Sequence, residues 1–189
     1  MPNTLSTHLD KLTRTLVYLL LFLLPLFFLP ITLESLEINK QTLLVVLTLT
    51  ASLSWIGSMV AKQHFDLRAG WLNAIPLLGL GTTTSSAISS PAPYLSWIGG
   101  SSQEYMSVTT IFALTILFFV VVNRLHGENE HRTMHGLLLL SAAIVGTHGL
   151  VQTFSGNLFN TIGTQNALGV YLACMTVFGC GLLVTIRPD

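Results

Sequence analysis

Long apolar runs alternate along this chain with short polar or charged connections. A helix needs about 20 mostly apolar residues to cross about 30 Å of hydrocarbon. Six segments approach that pattern: residues 15–33, 41–60, 71–90, 106–122, 134–154 and 167–186. They predict an all-α fold, a polytopic transmembrane helix bundle forming a single domain over residues 1–189. Pro25 and Pro30 are expected to bend the first helix. The third is apolar in its first half only, and residues 82–90 carry a run of hydroxyls. That run reads either as a helix packed in the bundle with its hydroxyls on its own carbonyls, or as a cavity wall open to the outer side.

The basic residues add an orientation. Lys11, Arg14, Lys62, Arg68, Arg124, Arg132 and Arg187 all fall on one side of the six-span pattern, and Lys40 alone falls on the other. Connections on the cytoplasmic side are enriched in Lys and Arg, so both ends are expected inside. A wrong span count would scramble the alternation, so count and orientation check each other.

Composition agrees. Of the 189 residues, 51% are hydrophobic and only 8% are charged, against roughly 25% charged in soluble domains. A water-facing surface cannot be covered with so few charges. That scarcity points to the lipid bilayer as partner, and the balance of eight basic against eight acidic residues suggests neither nucleic acid nor a strongly acidic partner. The first run is too long for a signal peptide and no small-residue cleavage site follows it. Cys174 and Cys180 lie in the last apolar run. Six residues correspond to roughly 600° of helix rotation, so they face different ways and read as small apolar residues.

No phosphate-binding loop, nucleophile elbow, dinucleotide fingerprint or zinc-finger spacing is present, and no cofactor is expected. The densest titratable stretch, residues 124–135, reads as a short solvated loop; His131 and His135 share a helix face, but Arg132 stands where a zincin motif needs glutamate. His148 lies inside the fifth run with Gln152 one turn further on. An ionisable residue at membrane depth is a functional candidate, against the alternative of a neutral histidine bonded between helices packed closely at Gly146 and Gly149. Tyr94, Trp97 and Tyr105 occupy the outer connection after the third run, where aromatics anchor at the interface or stack on sugar rings. The uncharged turn at residues 155–171 offers the amides of Asn157, Asn160, Gln165 and Asn166 to neutral hydroxyl ligands, and Asn166 can instead cap the last helix.

Gly163-Thr164-Gln165-Asn166-Ala167-Leu168-Gly169-Val170-Tyr171-Leu172 resembles the turn and helix of the O-antigen ligase and polymerase superfamily of bacterial membrane proteins. Ser90-Pro91-Ala92-Pro93-Tyr94-Leu95-Ser96-Trp97-Ile98-Gly99 is similar to that family's first long outer loop. The resemblance implies a multi-pass protein of the bacterial inner membrane, part of a glycosyltransferase-type enzyme. Its partner would be an undecaprenyl-diphosphate-linked glycan, moved to an acceptor at the outer face. Substrate contacts are expected from Tyr94, Trp97, Gln103, Glu104, His148, Gln152, Asn160, Gln165 and Asn166. The family often places arginine after the first-loop glycine, where this chain has Gln103 and Glu104, and Lys40 is the one cation expected outside. Family members also run to further spans, so the chain is expected to be an N-terminal portion, inactive alone. A small transporter or channel lined by the third run and His148, and a structural membrane subunit, are the alternatives.

Overall fold

In a computed structural model the described residues are 4–27, 37–65, 67–68, 70–99, 107–156, 161–162 and 165–185, and no strand occurs among them. The helices are α1 (Thr4–Leu26), α2 (Glu37–Lys62), α3 (Ala74–Ile88, entered through a 3-10 turn, Trp71–Asn73), α4 (Pro93–Ile98), α5 (Val108–Arg124), α6 (Glu128–Phe154) and α7 (Gln165–Thr185). By length and composition three helices can cross a membrane, Ile38–Lys62, Glu128–Phe154 and Gln165–Val184, and Val108–Arg124 is a shorter apolar helix.

The first helix departs most from expectation. It starts at Thr4 rather than near residue 15, and its described part stops just after Pro25. Polar residues form its first turns because they have partners. Ser6, Thr13, Val17 and Leu20 are buried on it, at spacings that put all of them on one face. Thr13 returns its hydroxyl to Leu9 O at 2.9 Å, and Ser54 of α2 donates to the same carbonyl at 2.9 Å. Below this polar contact lies the apolar core, Val17 of α1, Ala51, Trp55 and Met59 of α2, and Val120 and Leu125 at the end of α5. A second cluster, Leu20, Leu44 and Ala113, continues the same seam.

Contacts between termini fix the directions. Lys62 at the end of α2 and Arg124 at the end of α5 both meet Asp10 near the start of α1. Glu130 at the start of α6 meets Arg14. At the other end Gln41 of α2 meets Ser107 and Thr110 at the start of α5. Helices α1 and α6 therefore leave the ionic end, while α2 and α5 return to it. Helix α3 also leaves it, since Arg68 N donates to Asn123 Oδ1 at 2.7 Å near the end of α5, and Ala87 shares a pocket with Val108 at the start of α5. Helix α7 runs back along α6, with Leu168 against Gly149 and Leu139 against Gly179. A Cβ on Gly149 would lie 2.7 Å from the Leu168 side chain, so the glycine sets the approach of the two helices.

Burial grades outward from the core. In the apolar window of α2, 44% is buried, against 6% for α7, so α7 is peripheral and turns nearly all of its apolar surface outward. Val170, Val177, Leu183 and Val184 are exposed on it. Such a surface is compatible with lipid contact.

The ionic end is more ordered than a solvated loop. Asp10 Oδ2 lies 2.5 Å from Lys62 Nζ and Asp10 Oδ1 lies 2.5 Å from Arg124 Nη2. The Arg124 contact is a close ion pair without hydrogen-bond alignment. Glu130 joins the network by pairing with Arg14 and by accepting from the His126 and Gly127 amides at 2.8 and 3.2 Å, which closes the start of α6. Burial by itself would raise the Asp10 carboxyl, but Lys62, Arg124 and Ser58 outweigh it and hold the group below its ordinary value. Burial, with the nearby charges of Arg68 and Arg124, lowers the His126 imidazole against the opposing pull of Glu130.

A carboxyl held low in the fold adds stability above its ordinary value of 3.8, and loses it as pH falls through the folded value. Asp10→Asn leaves Lys62 and Arg124 facing each other and is expected to cost roughly 1–3 kcal/mol at neutral pH, less than a fully buried pair because Lys62 is partly exposed. Thermal unfolding of purified protein checks both points: wild type loses stability below about pH 4, and Asp10→Asn starts lower and shows a smaller acid-dependent loss. The remainder comes from Glu130, which, against burial, the Gly127 and His126 amides and Arg14 hold below its ordinary value.

Candidate functional site

The end away from the ionic network is polar in a different way, built on amides and hydroxyls. Gln41, 8% exposed in the first turns of α2, directs Nε2 at Ile98 O (2.8 Å), Ser107 Oγ (2.9 Å) and Thr110 Oγ1 (3.1 Å). A carbonyl only accepts, so Ile98 fixes which end of the amide faces inward. An amide group has two hydrogens, so these three contacts share them, with Ser107 and Thr110 also 3.0 Å apart. Ser107 is in addition the N-cap of α5, accepting from the Thr110 amide at 3.3 Å. Gln41 thus ties α2, the end of α4 and the start of α5 together. Thr109 Oγ1 reinforces the tie by donating to Trp97 O at 2.7 Å.

Beside Gln41 is a cavity of about 370 Å³ whose walls include Leu24, Leu44, Leu114, Ile162, Ala167 and Tyr171, with Lys40 and Thr110 also at its boundary. Lys40 is 5% exposed and donates to Thr161 O. The Tyr171 hydroxyl is buried without a hydrogen-bond partner among the described residues. The cavity therefore offers an ammonium and a phenol within a mainly apolar wall.

A second pocket, of about 310 Å³, lies where α3, α4 and α5 meet, with Thr83, Ser86, Ser90 and Ser96 among its lining residues. Most of the hydroxyl run bonds its own helix, and Thr83, Ser86 and Ser90 also line this pocket. Thr82, Thr83, Thr84, Ser85 and Ser89 return their hydroxyls to helix carbonyls, whereas Ser90 Oγ accepts from Ser96 Oγ at 2.7 Å and from the Ala92 amide at 3.2 Å.

The residues expected to contact substrate are not gathered in one place. Tyr94 and Trp97 stand on α4 with much of their surface exposed. Their neighbours Leu95 and Ser96, rather than the aromatics, line the hydroxyl pocket. Gln165 and Asn166 form the first turn of α7, immediately before Ala167 of the Lys40 cavity, so Asn166 sits within the helix instead of capping it. His148 and Gln152 pair on α6 with their Nε2 atoms 3.5 Å apart, while His148 Nδ1 is buried without a partner among the described residues. Neither lines the Lys40 cavity. Gln103, Glu104, Asn160, Asn157 and Tyr105 lie outside the described residues.

Reading the sequence passes over Gln41, Tyr171 and Asp10. A glutamine opening an apolar run was the available signal for the first; Asp10 depends on Lys62 and Arg124 far along the chain, and Tyr171 on the cavity that other helices form around it. Among the described residues no group of three or more His, Cys, Asp and Glu is gathered to hold a metal. Among the described residues neither pocket at this end is lined by a carboxylate or an imidazole; the titratable groups offered are the Lys40 ammonium and the Tyr171 phenol.

Gln41→Ala removes the shared donor and is expected to cost about 1–3 kcal/mol. Hydrogen exchange should rise in residues 92–99 more than at the ionic end; uniform loosening would deny Gln41 its local role. No family model, curated protein or solved structure matches this chain.

Proposed function

We propose that the chain is a six-span protein of the bacterial inner membrane, with both ends inside, forming part of an O-antigen ligase-like transferase. In this reading the Lys40 end faces outward and receives the glycan's undecaprenyl-diphosphate carrier for transfer to an acceptor. The observation that carries it is the Lys40 cavity itself. Its buried ammonium suits a phosphate group, its apolar walls suit a polyprenyl chain, and the neighbouring hydroxyl pocket suits neutral sugar. The alternating helix directions and the one-sided distribution of Arg and Lys support the span count and orientation. The resemblance of residues 90–99 and 163–172 to the ligase family supports the reaction class.

A second reading, a small transporter, is favoured by one observation: His148 Nδ1 is buried without a partner among the described residues, in a helix long enough to span.

Binding of a short-chain polyprenyl diphosphate to the protein in lipid nanodiscs tests the first reading. Lys40→Gln is expected to weaken it about tenfold, the scale of one charge-assisted hydrogen bond, and to leave binding of the uncharged polyprenol unchanged. Equal diphosphate affinity in both proteins contradicts the reading. Solute flux through proteoliposomes that falls in His148→Ala would favour the transporter.

A further inference from the structure

At the ionic end a groove of about 580 Å³ runs between the entry to α3 and the last turns of α5. Trp71, Ile75, Pro76, Phe118 and Val122 give it apolar walls, and Arg68 stands at its boundary. Trp71 is 80% exposed, the largest fraction among the chain's described tryptophans. In water such a surface would be costly; at a membrane interface an indole beside an apolar groove is at home.

Arg68, like the exposed Lys11, stands outside the ion pairs of this end. Lys62 and Arg124 are committed to Asp10, Arg14 to Glu130, and Arg132 lies 3.9 Å from Glu128. Among the described residues no carboxylate is within ion-pair distance of Arg68. Its backbone is nonetheless held firmly. The amide donates to Asn123 Oδ1 at 2.7 Å and the carbonyl accepts from Asn73 Nδ2 at 2.6 Å. Asn123 is itself buried and donates to Phe119 O at 2.8 Å. The guanidinium thus starts from a backbone fixed against α5 beside an apolar groove, with a positive charge that no carboxylate among the described residues pairs.

We propose that this groove seats an anionic phospholipid of the adjacent leaflet, its phosphate on Arg68 and an acyl chain along Trp71, Ile75 and Phe118. Charge complementarity selects the occupant: a neutral lipid or a purely apolar helix satisfies the groove but leaves the guanidinium without a counter-charge. The site lies at the opposite end from the Lys40 cavity. It depends on the chain crossing a bilayer but not on glycan transfer.

Trp71 provides the readout. Protein carrying Trp97→Phe is reconstituted in bilayers containing either brominated phosphatidylglycerol or brominated phosphatidylcholine at equal fraction, and quenching of tryptophan fluorescence is compared. Trp55 is buried and contributes little to the difference. The expected result is about fivefold preference for the anionic lipid at Trp71, the fold-change equivalent to the ~1 kcal/mol contributed by one basic residue at an anionic surface. Arg68→Gln should abolish the preference and Arg68→Lys should keep most of it. Equal quenching by the two lipids overturns the site while leaving the membrane reading intact. A preference that survives Arg68→Gln, or persists after Trp71→Phe, also overturns it. Absence of quenching by either lipid contradicts membrane insertion and the site together.

Discussion

A single carboxylate, Asp10, gathers the ends of three helices. Lys62 closes α2, Arg124 closes α5, and both depend on Asp10 near the start of α1 for their counter-charge. Glu130 extends the same network to the start of α6 through Arg14. In a chain with so few charges this concentration has a consequence. The helices can pack through Thr, Ser and small apolar side chains along their length, because the ion pairs seen among the described residues that set their register lie at one end. Breaking such a pair leaves an uncompensated charge, which is why the network specifies alignment more strongly than its net stabilisation would imply.

Among the described residues the other end is organised mainly by neutral polar groups, with the Lys40 ammonium beside them. Gln41 spends its two amide hydrogens on three acceptors drawn from α4 and α5. That node holds the short helix bearing Tyr94 and Trp97 over the start of α5 and leaves two pockets beside it, one apolar with Lys40 and one lined by hydroxyls. A buried ammonium is costly in an apolar wall, and here it is met by Thr161 O. An anionic amphiphile is the ligand class whose chemistry matches both the ammonium and the walls around it, and this is the basis of the lipid-linked substrate reading.

Much of the helical architecture was legible. The apolar runs at 41–60, 106–122, 134–154 and 167–186 fall within or close to α2, α5, α6 and α7, because hydropathy is a local property of the chain. The run at 71–90 became a 3-10 turn followed by α3. Two local errors have physical causes. Residues 4–14 look too polar for a membrane helix, yet they are helical because Ser6 and Thr13 are buried and Asp10 is neutralised from elsewhere. Residues 93–98 look like a loop, yet form α4, started by Pro93 in its first turn and secured at its end by Gln41. The site was less legible. Tyr94, Trp97, His148 and Gln165 stand out as residue types, but what brings groups together here is Gln41 reaching Ser107 and Lys40 reaching Thr161, pairings that no local pattern encodes.

The account turns on the ionic end and the Lys40 end lying on opposite sides of a membrane. Single cysteines answer this directly, introduced as His64→Cys and Tyr94→Cys into a background with Cys174→Ala and Cys180→Ala. Both positions are exposed, one in the connection that follows α2 at the ionic end and one on α4. In intact cells a membrane-impermeant maleimide is predicted to label residue 94, and to reach residue 64 only after permeabilisation. Labelling of both positions from the same side would contradict the account.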